Sequence, residues 1–201
     1  MQADKDTGVQ MSQPSLRRHE KVLLVLLFGA LWGAWELFGR NLLRASGIEH
    51  KSAILYAVGI IILYASKRTA HFPGSVVIMS VIAGLFKATS SHFFPCQVAA
   101  VMINGFIFDI TYSTFRGRLD SSFIYRTIAA PVIVYVSYAI FAILAAFALR
   151  EGSWVSDGWA GVRSYLSTSA VSATLFSIVT IHLGFYLGNA IRLVVPRRQM
   201  V

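Results

Sequence analysis

Six separated apolar stretches occupy most of this chain, over about 21–43, 53–66, 74–90, 96–115, 127–149 and 165–191. A bilayer offers its interior no water, so a spanning backbone must satisfy itself as a helix of roughly 20 apolar residues. The pattern therefore predicts an all-α polytopic membrane protein with six transmembrane helices in one bundle. A polar tail at 1–20 precedes the bundle and a basic tail at 196–201 follows it. The stretch 53–66 is the shortest, and is expected to be the weakest span, re-entrant or tilted. The breaks carry turn-forming residues: Ser46-Gly47, Phe72-Pro73-Gly74, Phe94-Pro95 and Gly152 to Gly158.

Composition supports a lipid solvent. Only 13% of the 201 residues are charged and 56% are hydrophobic, whereas soluble domains carry about 25% charged residues. The net charge of +9 in a soluble chain would suggest nucleic acid. Here the basic residues gather in inter-helix connections, so no nucleic-acid partner is expected. Counting Lys and Arg with the N-terminus inside puts eleven on the cytoplasmic side, from Arg17 and Arg18 to Arg197 and Arg198. Six fall outside: Arg40, Arg44, Lys51, Lys87, Arg150 and Arg163. Both termini are thus expected in the cytoplasm, in a multi-pass protein of the cell (inner or plasma) membrane. Arg17-Arg18 before an apolar run resembles a twin-arginine signal, but the run continues to Leu43 without a small-residue cleavage site. A retained first helix is expected.

Ionisable residues within a span are costly and mark function by default. Glu36, Arg40, Lys87, His92 and Asn104 fall at matching depth, and Asn41 and Ser90 adjoin them. Together they suggest a small-molecule site near the outer face, among the first, third and fourth helices. The surplus of Arg40 and Lys87 over Glu36 favours an anionic or zwitterionic solute. The structural alternative is that Glu36 and Arg40, four apart with the acid first, neutralise each other. Lys87 lies about 20 Å along its helix from Gly74, where its stem could instead snorkel to the headgroups. Asp109 is expected to pair with a cytoplasmic arginine such as Arg116. His182 reads as a hydrogen-bonded packing residue, and Trp154 and Trp159 as interfacial anchors.

Enzyme readings find little. There is no Gly-x4-Gly-Lys-Ser/Thr phosphate loop, no His-Glu-x-x-His, no Gly-x-Ser-x-Gly elbow and one cysteine, Cys96. No catalytic residue, metal site or cofactor is expected. Small residues four apart, Gly29 with Gly33 and Ala30 with Ala34, form a strip on the first helix where another helix can approach closely. The pair Gly184 and Gly188 repeats the device in the sixth.

Small size, six spans and the Ala30-x3-Ala34 strip resemble the substrate-capture (S) components of energy-coupling factor transporters. Leu31-Trp32-Gly33, Phe72-Pro73-Gly74, Leu85-Phe86-Lys87-Ala88-Thr89-Ser90, and Pro95 with Asn104-Gly105 also look like S-component-like sequences. The resemblance implies a membrane-embedded subunit that binds a vitamin-like organic molecule for uptake. Gly29, Ala30, Gly33 and Ala34 would dock a transmembrane coupling subunit, with cytoplasmic ATPases supplying energy and lipids surrounding the bundle. The Met-His start of cobalt and nickel members is replaced by Met1-Gln2, which argues against a metal substrate. The rival expectations are a structural or assembly protein packing through its small-residue faces, and a stand-alone secondary carrier.

Overall fold

The computed structural model describes residues 17–48, 51–70, 72–90, 94–150 and 153–194. They form six helical rods and no strand: α1 Arg18–Ala45, α2 Lys51–Ala70, α3 Ser75–Ala88, α4 Pro95–Ser121, α5 Phe123–Ala148 and α6 Trp154–Val194. Five are long and apolar enough to cross a membrane, while α3 is shorter. The exterior is what a lipid solvent permits. On α1, Leu23, Leu27 and Leu31 form an exposed apolar stripe that Phe38 and Leu42 extend.

Around the bundle α1 neighbours α3, α3 neighbours α4, α4 neighbours α5 and α5 neighbours α6. Helix α2 is the hub, packed most closely on α6 and also touching α1, α3 and α4. The stretch expected to be the weakest span is thus a full 20-residue helix and the most enclosed one. Its low apolarity has a physical reason: Tyr56, Tyr64, Ser66 and Lys67 are buried among other helices. Close approach of α6 to α2 depends on Gly184 and Gly188. A Cβ at Gly184 would stand 2.9 Å from the Ile61 carbonyl oxygen, and one at Gly188 would stand 2.6 Å from Arg68 Cβ.

The upper end of the bundle is taken as the end where α1 stops and α2 begins. The lower end is held by polar contacts. Lys67 Nζ meets Asp109 Oδ1 at 2.8 Å and the Phe72 carbonyl at 2.9 Å. The two Asp109 oxygens also accept from the backbone N–H groups of Gly74 and Val76, at 2.8 and 3.1 Å. Asp109 therefore caps α3, with Gly74 at the N-cap in a left-handed conformation (φ 83°) that glycine adopts without strain. The expected partner, Arg116, is instead near Asp120, at 3.8 Å. Asp120 also binds Arg68 at 2.8 Å and the Tyr112 hydroxyl at 2.8 Å. His182 contacts the Thr127 hydroxyl at 2.9 Å and stacks on Phe123, a packing role.

Several boundaries move. The first helix starts at Arg18, inside the expected tail. The expected end of the fourth at 115 persists as a kink at Phe115, after which the helix continues to Ser121. The connection from Ser153 to Tyr165, expected as a loop, is helical and bends at Gly158 (φ 48°).

Three outcomes test this packing in detergent-solubilised protein. Gly184→Ile should lower stability by about 1–3 kcal/mol or more, because its branch meets backbone. Gly117→Ala should be neutral or mildly stabilising, since a Cβ there meets nothing within 4 Å. Asp109→Ala should cost more than Asp120→Ala, because it strands a more deeply buried lysine and uncaps α3 together. Unfolding titrations in a denaturing detergent would rank all four.

Candidate functional site

At the upper end all six helices open around one cavity of about 610 Å³. On α4 its lining follows one helical face: Gln97, Ala100, Val101 and Asn104, spaced i, i+3, i+4, i+7. On α1, Glu36, Arg40 and Arg44 recur every four residues. Lys51, Ser52, Leu55 and Tyr56 come from the first turns of α2, and Lys87 from the end of α3. Helix α5 contributes Ser137, Tyr138 and Phe141, and α6 contributes Trp154 and Tyr165.

Glu36 pairs with Lys87, with Nζ 2.6 Å from Oε2, and both side chains are buried. The same ammonium donates to the Glu36 backbone carbonyl at 3.1 Å. That carbonyl lies within a π turn, Trp35–Gly39. An added residue in a helical turn disturbs the regular backbone ladder and so leaves carbonyl groups for other donors. Trp35 steadies the turn by donating its indole N–H to the Leu55 carbonyl at 3.1 Å. Two more π turns, Leu144–Ala148 and Leu166–Ala170, occur in α5 and α6 just beyond Phe141 and Tyr165.

This pairing corrects two sequence expectations. Glu36 neutralises Lys87 across the bundle rather than Arg40 along its own helix. Lys87 does not snorkel to the bundle surface, because its ammonium is held inward. Arg40 is half-buried and has no carboxylate within ion-pair distance among the described residues. Among the described residues the cavity thus carries Arg40, Arg44, Lys51 and Lys87 against the carboxylate of Glu36, a surplus of positive charge.

Of the sequence-derived candidates, Glu36, Arg40, Lys87 and Asn104 come together on this cavity. Asn41 does not, being exposed on another face of α1. Ser90 is half-buried just past α3 and stays off the lining. His92 lies outside the described residues. The small-residue strip is partly spent within the chain: Gly29 packs on Ile82 and Met79, and Gly33 on Phe86, all of α3. Both glycines are buried. Ala30 and Ala34 remain half-exposed.

The tyrosines were missed, as were Arg44, Lys51, Gln97 and Trp154. Gln97 was detectable, because it shares a helical face with Asn104. The Tyr56 hydroxyl is buried on the cavity beside the Ser137 hydroxyl. The Ser137 hydroxyl donates to the Ile133 carbonyl at 2.7 Å, and its oxygen can still accept from Tyr56. Comparison with protein-family models, curated proteins and solved structures found no match to this chain.

The buried pair generates a direct test. Glu36→Met or Lys87→Met alone leaves an uncompensated charge in a low-dielectric site, and each should cost about 3–5 kcal/mol. The double variant Glu36→Met/Lys87→Met should recover most of that loss. Simple addition of the two single losses in the double variant's melting curve would show that the pair is not coupled.

Proposed function

We propose that this chain is a membrane-embedded solute-binding subunit that captures a small anionic or zwitterionic organic molecule. The observation that carries the reading is the convergence of all six helices on one cavity lined, among the described residues, by four cations, one carboxylate and several aromatic rings. Its volume falls in the range of small-molecule sites, about 300–1,000 Å³. A bundle that only needed to pack would fill such a space with apolar side chains, because unmatched intramembrane charge is costly.

The topology of this proposal has six spans and both termini in the cytoplasm, with the cavity toward the outside. It rests on the Lys and Arg bias of the connections. Helix α3 serves as the sixth span although its 14 residues cover only about 21 Å. Both of its ends stop at buried ion pairs, so neither has to reach the headgroups. Uptake would be energised by a transmembrane coupling subunit with ATPases, since the chain contains no phosphate-binding loop of its own. The expected contact is the half-exposed Ala30 and Ala34 face of α1. The resemblance to S components points the same way and suggests a vitamin-like solute.

Native mass spectrometry of protein purified from a vitamin-rich culture tests the proposal. A co-purifying small molecule is expected, and Arg40→Gln/Lys51→Gln should lose it while folding normally. A clean mass for the unmodified chain, accompanied by a stably bound membrane protein, would favour the assembly role instead.

A further inference from the structure

The cavity is not uniform, and its two kinds of wall narrow what it can hold. One wall is aromatic. Tyr56 and Tyr138 have ring centroids 5.4 Å apart, and Tyr138 stacks on Tyr165 at 5.5 Å with 20° between planes. Tyr165 continues edge-on to Trp154 at 5.1 Å, and Trp154 to Phe141 at 5.8 Å. Five rings from α2, α5 and α6 thus form one connected surface, each locked by its neighbours. The other wall is cationic: Arg40 and Arg44, one turn apart on α1, with Lys51 at the start of α2.

We infer that the cavity takes a planar aromatic or heteroaromatic solute bearing a carboxylate or phosphate. The ring lies against the Tyr138–Tyr165 surface and the anion turns toward Arg40, Arg44 and Lys51. This deepens the solute-capture reading above and rests on it. Three observations carry the inference. Aromatic rings reward a ring partner beyond the area it covers, by offset stacking and edge contacts. Arg40, Arg44 and Lys51 have no carboxylate partner among the described residues, whereas Lys87 is already satisfied by Glu36. The Tyr56 hydroxyl, buried at the ring wall beside the Ser137 hydroxyl, gives the aromatic side a polar group for a ring heteroatom or substituent.

Aromatic surfaces also attract quaternary ammonium ions. That occupant is disfavoured here, because the Glu36 carboxylate is engaged by Lys87 and Arg40, Arg44 and Lys51 would repel it. A saturated anion would satisfy the arginines but gain nothing from the ring wall.

The test uses the full chain in lipid nanodiscs and four probes read by calorimetry: indole-3-acetate, its neutral amide, cyclohexaneacetate and choline. Indole-3-acetate should bind roughly tenfold or more tightly than each of the others. Tyr165→Leu, with Trp154→Leu as a second variant, should erase the preference for indole over cyclohexane but keep that for acid over amide. Arg40→Gln/Lys51→Gln should do the reverse. Equal binding of cyclohexaneacetate, sensitive to Arg40→Gln/Lys51→Gln, would overturn the aromatic class and leave solute capture standing. Tighter binding of choline, or no binding of any probe, would also overturn it. Solute capture itself falls only if the purified protein carries no small molecule at all.

Discussion

Two buried lysine–carboxylate pairs hold the shortest helix at both ends, and much of the architecture depends on them. Lys67–Asp109 grips the start of α3, and Lys87–Glu36 grips its finish. In an apolar medium neither ammonium could remain charged without its partner. Each pair therefore fixes the mutual height of the helices it joins. The lower pair sets α2 and α4 against the α3 N-cap, because Asp109 also receives the N–H groups of Gly74 and Val76. The upper pair sets α3 against the π turn of α1. The shortest helix of the bundle is thereby tied to its neighbours at both ends.

The same economy shapes the cavity. Helix α2 spends its polar residues on protein neighbours, which lets tyrosines, serines and lysine occupy a segment at bilayer depth. Glycines 184 and 188 bring α6 against it, while the upper ends of α5 and α6 present rings rather than small residues. The bundle is tight below and open above. The three π turns occur at the open end, in α1, α5 and α6, where a regular helical register is interrupted beside the lining. A space of about 610 Å³ results, lined by both charges and rings.

Much of the site was legible residue by residue. Glu36, Arg40, Lys87 and Asn104 stood out because each is a polar group where the bilayer tolerates few. The tyrosines did not, since a tyrosine in an apolar stretch is an ordinary residue until its neighbours are known. Arg44 and Lys51 were absorbed into the count of loop charges, although they project onto the same space as Arg40. Trp154 was read as an interfacial anchor because its segment looked like a loop. It belongs to a helix that turns at Gly158 and packs its indole against Phe141 and Tyr165.

The amino-acid order by itself determined an all-helical chain with long apolar segments, the breaks between them, and the handful of intramembrane polar residues worth explaining. These follow from local rules: hydrophobic length, turn chemistry and the cost of charge in hydrocarbon. Only the tertiary structure decided which charge meets which, that α2 is the enclosed hub, and that Gly29 and Gly33 face α3. The reason is physical. An ion pair or a glycine contact is a relation between surfaces distant in sequence, and each residue type admits several partners. Glu36 had a permissible partner four residues away and a different one fifty-one residues away. Packing of the short α3 against α1 selected the second.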